Sequence, residues 1–154
     1  MNKSRRILNI LRKLIELDLY ETDLIAILTI LMNLSQYKQA VLEMVFLKFE
    51  FPLVNELNNF NPPVAQGSAK ILANCLSMDE DIDQSFINAG ILSTFEELFN
   101  KQKLKEYSKL REKVTFMIGN LLCSSNSICT RVYHSSLIIS CMKQLAEEHN
   151  EIVQ

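Results

Sequence analysis

The stretch KILANCLS, residues 70–77, places an asparagine inside an otherwise mostly apolar run. An asparagine in a helix interior weakens the helix, because its side-chain amide competes for backbone hydrogen bonds. The same arrangement occurs twice more, in TILMNLS at residues 29–35 and in FMIGNLLC at residues 116–123. Three apolar segments that each carry an asparagine near their end indicate an internal repeat.

The spacing of the three asparagines supports this interpretation. Asn33 and Asn74 lie 41 residues apart, and Asn74 and Asn120 lie 46 residues apart, which is within the period of helical solenoid units. A leucine follows each asparagine 24 or 25 residues later in the sequence. The extra residues of the second interval fall in NKQKLKEYSKLRE, residues 100–112, which we interpret as a lengthened charged connection.

Length and composition predict one all-α domain over residues 1–154. A chain of 154 residues has the length of a single domain. Only three glycines and three prolines occur, whereas helix-forming residues are plentiful. The 3.6-residue periodicity and its breaks predict helices at 3–18, 22–35, 38–48, 52–59, 64–78, 81–88, 91–101, 105–123, 127–134 and 137–149. We group them as a partial unit at 3–18 and repeat-like units at about 22–60, 61–104 and 105–149.

Charge and composition exclude several functional classes. The net charge of −2 and the pI near 5.7 provide no basic surface for nucleic acid. No apolar run approaches the ~18 residues of a membrane span. The four cysteines lack metal-ligand spacing, and we expect reduced thiols in an intracellular protein of the cytoplasm or nucleus. The basic start, MNKSRRILNILRKL at residues 1–14, resembles a mitochondrial presequence, which leaves the mitochondrion as an alternative location.

The sequence offers little for catalysis or metal binding. The only histidines are His134 and His149, and neither has a cysteine, serine or acid at a spacing that implies a triad or a metal site. The acidic cluster at residues 79–83 lacks the spacing and glycine of a calcium loop, and it suits a helix start. We therefore predict a protein that is not an enzyme and uses neither a cofactor nor a metal.

Helical geometry predicts where the asparagines point. At 100° per residue, the apolar stripe from Ala65 to Leu76 lies almost opposite Asn74 on the same helix. Asn33 and Asn120 stand in the same relation to their own stripes. We therefore expect each asparagine to be displayed on the side away from the neighbouring helices.

The order of the segments resembles the armadillo repeat, a unit of about 42 residues with one short helix and two longer ones. The resemblance is most specific in SMDEDIDQSFINAGILSTFEELF, residues 77–99, where a short helix, an Asn-Ala-Gly junction and an apolar second helix follow one another. Residues 120–145 repeat this order, with Ser135 and Ser136 where the glycine would stand. In the first repeat, Phe49 lies near the glycine site.

This resemblance covers about residues 22–149, and residues 3–18 look like the second helix of a preceding unit. It implies a right-handed α-solenoid of about three armadillo-like repeats, in which Pro52 begins the second helix of the first repeat. HEAT-like repeats and a nonrepetitive helical bundle remain the alternatives.

Within the armadillo family the chain is most similar to the importin-alpha type, whose third helices read Trp-x-x-x-Asn and hold extended basic peptides. The positions that match the tryptophans are Thr29, Lys70 and Phe116, and the chain contains no tryptophan. Because basic side chains bind there through cation–π contacts with indole rings, the resemblance implies a groove that lacks this specificity.

An asparagine amide offers donors and an acceptor, which can pair with the backbone of an extended peptide. This predicts a concave peptide-binding groove that suits an acidic or apolar partner and is lined by Asn33, Asn74, Asn120, Thr29, Lys70, Lys113 and Phe116. The alternative is that the asparagines bond only to neighbouring repeats and keep the solenoid in register.

The ends of the chain suggest a second kind of contact. Terminal repeats of a solenoid need polar caps, but the final segment, LIISCMKQLAEEHNEIVQ, has no third helix after it. We expect Leu137, Ile138 and Met142 to stay partly exposed and to contact a partner.

The function we favour is a scaffold or assembly subunit of a larger complex, and the alternative is an adaptor that grips a peptide along the asparagine ladder. The partner is a protein or an extended peptide in either case.

Overall fold

A computed structural model describes residues 3–17, 19–76, 78–100, 108–141 and 143. Its helices are α1 (Lys3–Leu14), α2 (Glu21–Leu34), α3 (Lys38–Phe46), α4 (Glu50–Glu56), α5 (Pro62–Cys75), α6 (Glu80–Asn88), α7 (Ile91–Asn100), α8 (Ser108–Leu122) and α9 (Asn126–His134). Residues 137–141 are also helical. The described residues contain no strand, in agreement with the all-α prediction. None of the described helices has the length and apolarity to cross a bilayer.

Polar caps and prolines set the helix starts. The Asn61 side chain accepts a hydrogen bond from the Val64 N–H, and prolines occupy the first two positions of α5, where their missing N–H groups cost nothing. Asp79 caps α6 by accepting from the Asp81 N–H at 3.1 Å, and Ser125 caps α9 in the same way. These caps explain why short helices form at these points of the chain.

A left-handed residue turns the chain between the first and second helices of two repeats. Gly90 has φ 92° between α6 and α7, and Lys48 has φ 63° at the corresponding point between α3 and α4. Phe49 lies next to the glycine site, as predicted, because it directly follows Lys48, and its side chain is in the core with 1% of its surface exposed. The prediction that Pro52 begins the second helix was wrong. The helix begins at Glu50, so Pro52 lies within the first turn, where a missing N–H is tolerated.

The helices form three stacks, each made of equivalent helices from successive repeats. The third helices α2, α5 and α8 pack side by side, the second helices α4 and α7 contact each other, and the first helices α3, α6 and α9 form the remaining stack. The helix α1 contacts α3. From α2 to α9, each helix therefore packs against its counterpart one repeat away, which is the organisation of a solenoid.

One close approach fixes the spacing of the third helices α2 and α5. A Cβ atom at Gly67 would lie 3.3 Å from the side chain of Leu28, so the glycine in the middle of α5 makes room for that leucine. Leu28 is almost fully buried there, as are Leu31 and Leu72. The core runs continuously through the repeats, since its buried residues extend from Leu8 to Leu137.

Ion pairs tie neighbouring repeats together at the surface. Arg5 donates to both carboxylate oxygens of Glu43, at 2.6 and 2.9 Å, and Lys38 donates to Asp79 at 2.6 Å. The hydrogen bond from Arg5 lowers the pKa of Glu43. The pKa of Asp79 is lowered by the bond from Lys38 and then by the backbone N–H of Asp81.

A buried carboxyl joins α6 to the end of α8. Asp83 is 3% exposed, and Ser124 Oγ donates to its Oδ2 at 2.6 Å. The other oxygen, Oδ1, has no hydrogen-bond partner among the described residues. Burial raises the pKa of Asp83 from 3.8 to about 6, because the ionised form loses its hydration.

This raised pKa predicts that Asp83→Asn stabilises the protein at neutral pH. The folded state binds the Asp83 proton more tightly than the unfolded state, so stability should fall as pH rises through the interval between the two pKa values. We expect the variant to gain about 1 to 3 kcal/mol of unfolding free energy at pH 7 and nothing below about pH 4, measured by urea denaturation. The matched control is Asp81→Asn on the same turn, where the side chain is exposed. Equal pH profiles for wild type and Asp83→Asn would contradict the assignment.

Candidate functional site

The described residues assemble no chemical centre. No group of three or more histidine, cysteine or acidic side chains among them could hold a metal ion. The four cysteines are free, and burial raises the pKa of Cys75 to about 12 and of Cys141 to about 11, so neither forms a thiolate near neutral pH. His134 is exposed at the surface, and His149 lies outside the described residues. The candidate sites in this part of the chain are therefore surfaces.

The first surface is the third-helix face, which we define as the exposed side of α2, α5 and α8. Thr29 on α2, Lys70 on α5 and Phe116 on α8 are all exposed, and Lys113 on α8 is partly exposed. The three helices pack side by side, and the four residues are distributed one or two to a helix.

A cleft opens on this face between α2 and α5. Its volume is about 260 Å³, and its lining residues are Ile25, Leu28, Thr29, Met32, Pro63, Gln66, Gly67 and Lys70. Thr29 and Lys70 therefore share one recess. Thr29 Oγ1 donates to Ile25 O within its own helix at 2.8 Å. Lys70 is the one charged residue among those that line the cleft.

The three asparagines do not have equivalent surroundings. Asn33 is exposed, whereas Asn74 and Asn120 are half-buried. Asn74 Nδ2 donates to Ser35 Oγ, at the end of the preceding third helix, at 2.9 Å. Asn120 Nδ2 is buried and has no hydrogen-bond partner within the described parts of the chain. Helical angles alone missed this difference, because they do not show what the neighbouring helix covers.

Phe116 already has a cationic neighbour in its own chain. Lys113 Nζ lies 6.0 Å from the centroid of the Phe116 ring, at the outer limit of a cation–π contact. Phe116 is nevertheless 54% exposed. The only aromatic side chain among the predicted groove residues therefore has its own lysine beside it.

The predicted contact surface near residue 137 is different in the structure. Leu137 is completely buried, so the expectation that it stays partly exposed was wrong. The helical segment at 137–141 turns this side chain into the core, while Ile138 is partly buried against it. Ile139 is instead 58% exposed. Met142 lies outside the described residues.

The structure reveals a surface that the sequence reasoning missed, the outer α1 face. It consists of Ile7, Ile10 and Leu14 on α1 and of Leu17, which follows the helix. Ile7, Ile10 and Leu17 are 56%, 58% and 59% exposed, and Leu14 is partly buried. The signal was present in the sequence, since these residues recur every three or four positions and form a second apolar stripe.

Comparison with known proteins identifies the fold. No protein-family model matches the chain, and no curated protein matches it. A computationally designed armadillo repeat protein for modular peptide recognition superposes with a TM-score of 0.78 at 18% identity, covering 88% of this chain and 56% of that chain. A designed armadillo repeat protein in complex with the peptide (KR)4 superposes with a TM-score of 0.79 at 19% identity, covering 88% and 55%. A third design has a TM-score of 0.79 at 16% identity, covering 91% and 57%.

These similarities define an armadillo-repeat-like fold. They confirm the predicted class, an α-solenoid of armadillo-like repeats. The chain spans a little over half the length of the designed proteins. At these identities the likeness concerns the fold alone.

The unequal surroundings of the asparagines lead to a stability prediction. Asn74→Ala removes the donor to the buried hydroxyl of Ser35, and we expect it to lower the free energy of unfolding by about 1 kcal/mol. Asn33→Ala is the matched control and should change stability by less than about 0.5 kcal/mol, because its side chain is exposed. Urea denaturation followed by circular dichroism measures both. Equal losses in the two variants would show that the Asn74 contact between repeats is not stabilising.

Proposed function

We propose that this protein is a non-enzymatic protein-binding solenoid that acts as a scaffold or assembly subunit of a larger complex. The observation that carries the proposal is the outer α1 face, where Ile7, Ile10 and Leu17 are each more than half exposed on one side of the chain. Contiguous apolar side chains of this kind mark interaction sites in soluble proteins. The designed armadillo proteins that recognise peptides support a protein-binding role for this fold.

The exposed face belongs to a helix that is firmly anchored. Arg5 is paired with both oxygens of Glu43, and its guanidinium lies 4.5 Å from the ring centroid of Phe46. Arg12 Nε donates to Lys48 O at 3.0 Å. Because α1 is fixed to the following repeat by these contacts, its apolar stripe is presented in a defined orientation.

A peptide-binding adaptor is the second candidate function. The cleft between α2 and α5 favours it, because Lys70 lies at the cleft and no acidic side chain lines it. Asn33 is exposed on α2 and has room to bond a peptide backbone. A groove with a lysine and no acid suits an extended peptide with acidic side chains, in contrast to a basic one.

Photocrosslinking from inside cells distinguishes the two functions. A benzophenone amino acid replaces Ile10, Lys70 or Ile139 in three versions of the full chain. The scaffold function predicts protein adducts from position 10 and few from positions 70 and 139, identified by mass spectrometry. Position 139 is the matched control, because Ile139 is exposed to the same extent as Ile10. Adducts mainly from position 70 would favour the adaptor, and no adduct from position 10 would reject the scaffold proposal.

The adaptor function makes its own prediction for an extended octapeptide of alternating glutamate and leucine. We expect Lys70→Glu to weaken binding of this peptide at least about tenfold, because it replaces attraction by repulsion. Lys109→Glu is the control, since Lys109 is an exposed lysine on α8 outside the cleft. Fluorescence anisotropy of a labelled peptide measures the affinities. Equal affinities for the two variants would reject the groove as a binding site.

A further inference from the structure

The helix α1 has two apolar faces, and only one of them is covered by the described residues. Leu8, Leu11 and Ile15 form the buried stripe. Ile7, Ile10 and the other members of the outer α1 face form a second stripe at three- and four-residue spacing, roughly 100° around the helix from the buried stripe. A helix whose apolar residues cover two faces is typical of an element packed between two neighbours.

The uncovered stripe has a positive edge. Arg5 and Arg12 are engaged with the protein, by Glu43 and by the Lys48 carbonyl. Arg6 and Lys13 are exposed, and neither forms an ion pair or a hydrogen bond with the described residues. At 100° per residue both cations fall on the edge of the outer α1 face. The face is therefore apolar in its centre and cationic along one side.

Two recesses bound this stripe. Near Ile7 a cleft of about 340 Å³ is lined by Arg5, Ile7, Leu8, Leu34, Tyr37, Gln39, Ala40 and Glu43. Near Leu17 a more open cleft of about 540 Å³ is lined by Ile15, Glu16, Leu17, Phe51, Pro52, Asn55 and Glu56. From Ile7 to the end of α1 at Leu14 the helix rises about 10 Å, so two turns of a facing helix would extend from the first recess to the end of α1.

The acids of the second recess do not cancel the positive edge. Glu16 is paired with Arg12 at 2.7 Å, and Glu56 accepts a hydrogen bond from Asn59 at 2.7 Å. The charge of Glu16 is therefore paired, whereas Glu56 keeps its negative charge, because the Asn59 amide is neutral. Glu56 lies at the recess near Leu17, and Arg6 and Lys13 are the unpaired charges of the described side chains along α1 itself.

The surroundings of α4, the second helix of the following repeat, show which elements contact the corresponding face there. On α4, Phe51 and Pro52 share a cleft with Ile15 and Leu17 of the preceding unit. The next second helix, α7, packs against α4 in turn. Of these two neighbours, α7 is a helix, whereas Ile15 and Leu17 lie in the turn and bend that follow α1.

We propose that the outer α1 face binds an acidic amphipathic α-helix of a partner protein. Apolar side chains of that helix fill the two recesses and cover Ile10, and its acidic side chains pair with Arg6 and Lys13. This inference rests on the proposed scaffold function and specifies the chemistry of the partner.

Charge and shape argue against the other occupants. A second copy in an antiparallel arrangement would bring Arg6 and Lys13 against the same cations, and like charges at close range repel. An anionic lipid surface is flat and would leave the two recesses empty.

The test uses the full chain and a synthetic helical peptide whose apolar positions are leucines and whose flanking positions are glutamates. We expect Ile10→Glu to weaken binding at least about tenfold, and the double variant Arg6→Glu, Lys13→Glu to weaken it by a similar factor. The control is Ile139→Glu, which changes an equally exposed isoleucine and should bind like wild type. Isothermal titration calorimetry gives the affinities, and circular dichroism checks that each variant is folded.

Each of the alternative results below would refute the inference for a different reason. A peptide with lysines in place of the glutamates should bind at least about tenfold more weakly, and equal binding would refute the charge complementarity. Binding of wild type but not Ile10→Glu to phosphatidylserine vesicles, without peptide binding, would assign the face to lipid. Dimerisation that Ile10→Glu abolishes would assign it to a second copy. Cellular crosslinks from position 10 without preference for the acidic peptide would refute this inference and leave the scaffold function intact.

Discussion

Side-by-side packing of the third helices is the interaction on which the rest of the structure depends. The helix α5 contacts α2 on one side and α8 on the other, and its buried face includes Ile71 and Leu72, which have no exposed surface. Burying a side chain of this size contributes about 1.5 to 3 kcal/mol. No repeat can bury its apolar face alone, so this stack sets the position of every first and second helix.

The stack also explains why polar groups occur between the repeats. Asn74 bonds to Ser35 across one interface, and Asp83 bonds to Ser124 across the next. Both contacts join residues about one repeat apart, and Ser35 and Ser124 follow the ends of the third helices α2 and α8. A hydrogen bond between buried groups is directional, so these pairs favour one register of the repeats over a slipped one.

Two surfaces with different chemistry result from this arrangement. The third-helix face has a small cleft with Lys70 and with no acidic side chain in its lining. On the outer α1 face, three apolar side chains are more than half exposed. A groove of the first kind suits an extended chain, whereas an apolar stripe of the second kind suits a helix. The greater apolar exposure of α1 is the reason why we favour assembly over peptide capture.

Much of the fold could be predicted from the repeated asparagines and the helical periodicity. The recurrence of Asn33, Asn74 and Asn120 predicted the solenoid, because a fixed period in sequence becomes a fixed stacking of equivalent helices. The start of α5 was predicted from Pro62 and Pro63, since proline suits a first helical turn. The start of α4 was not, because a proline is tolerated throughout the first turn and does not mark its first residue.

The candidate site was less accessible from the sequence. Angular arguments placed Thr29 and Lys70 on one face, since the direction of each side chain depends only on the geometry of its own helix. The same arguments could not show that Ser35 would reach Asn74 or that Leu137 would be buried, because those outcomes depend on residues from another repeat. The sequence by itself determined the helices, their repetition and the types of side chain displayed. Only the tertiary structure decided which apolar stripe is covered, because the burial of a side chain depends on the neighbouring helices and cannot be read from its own helix alone.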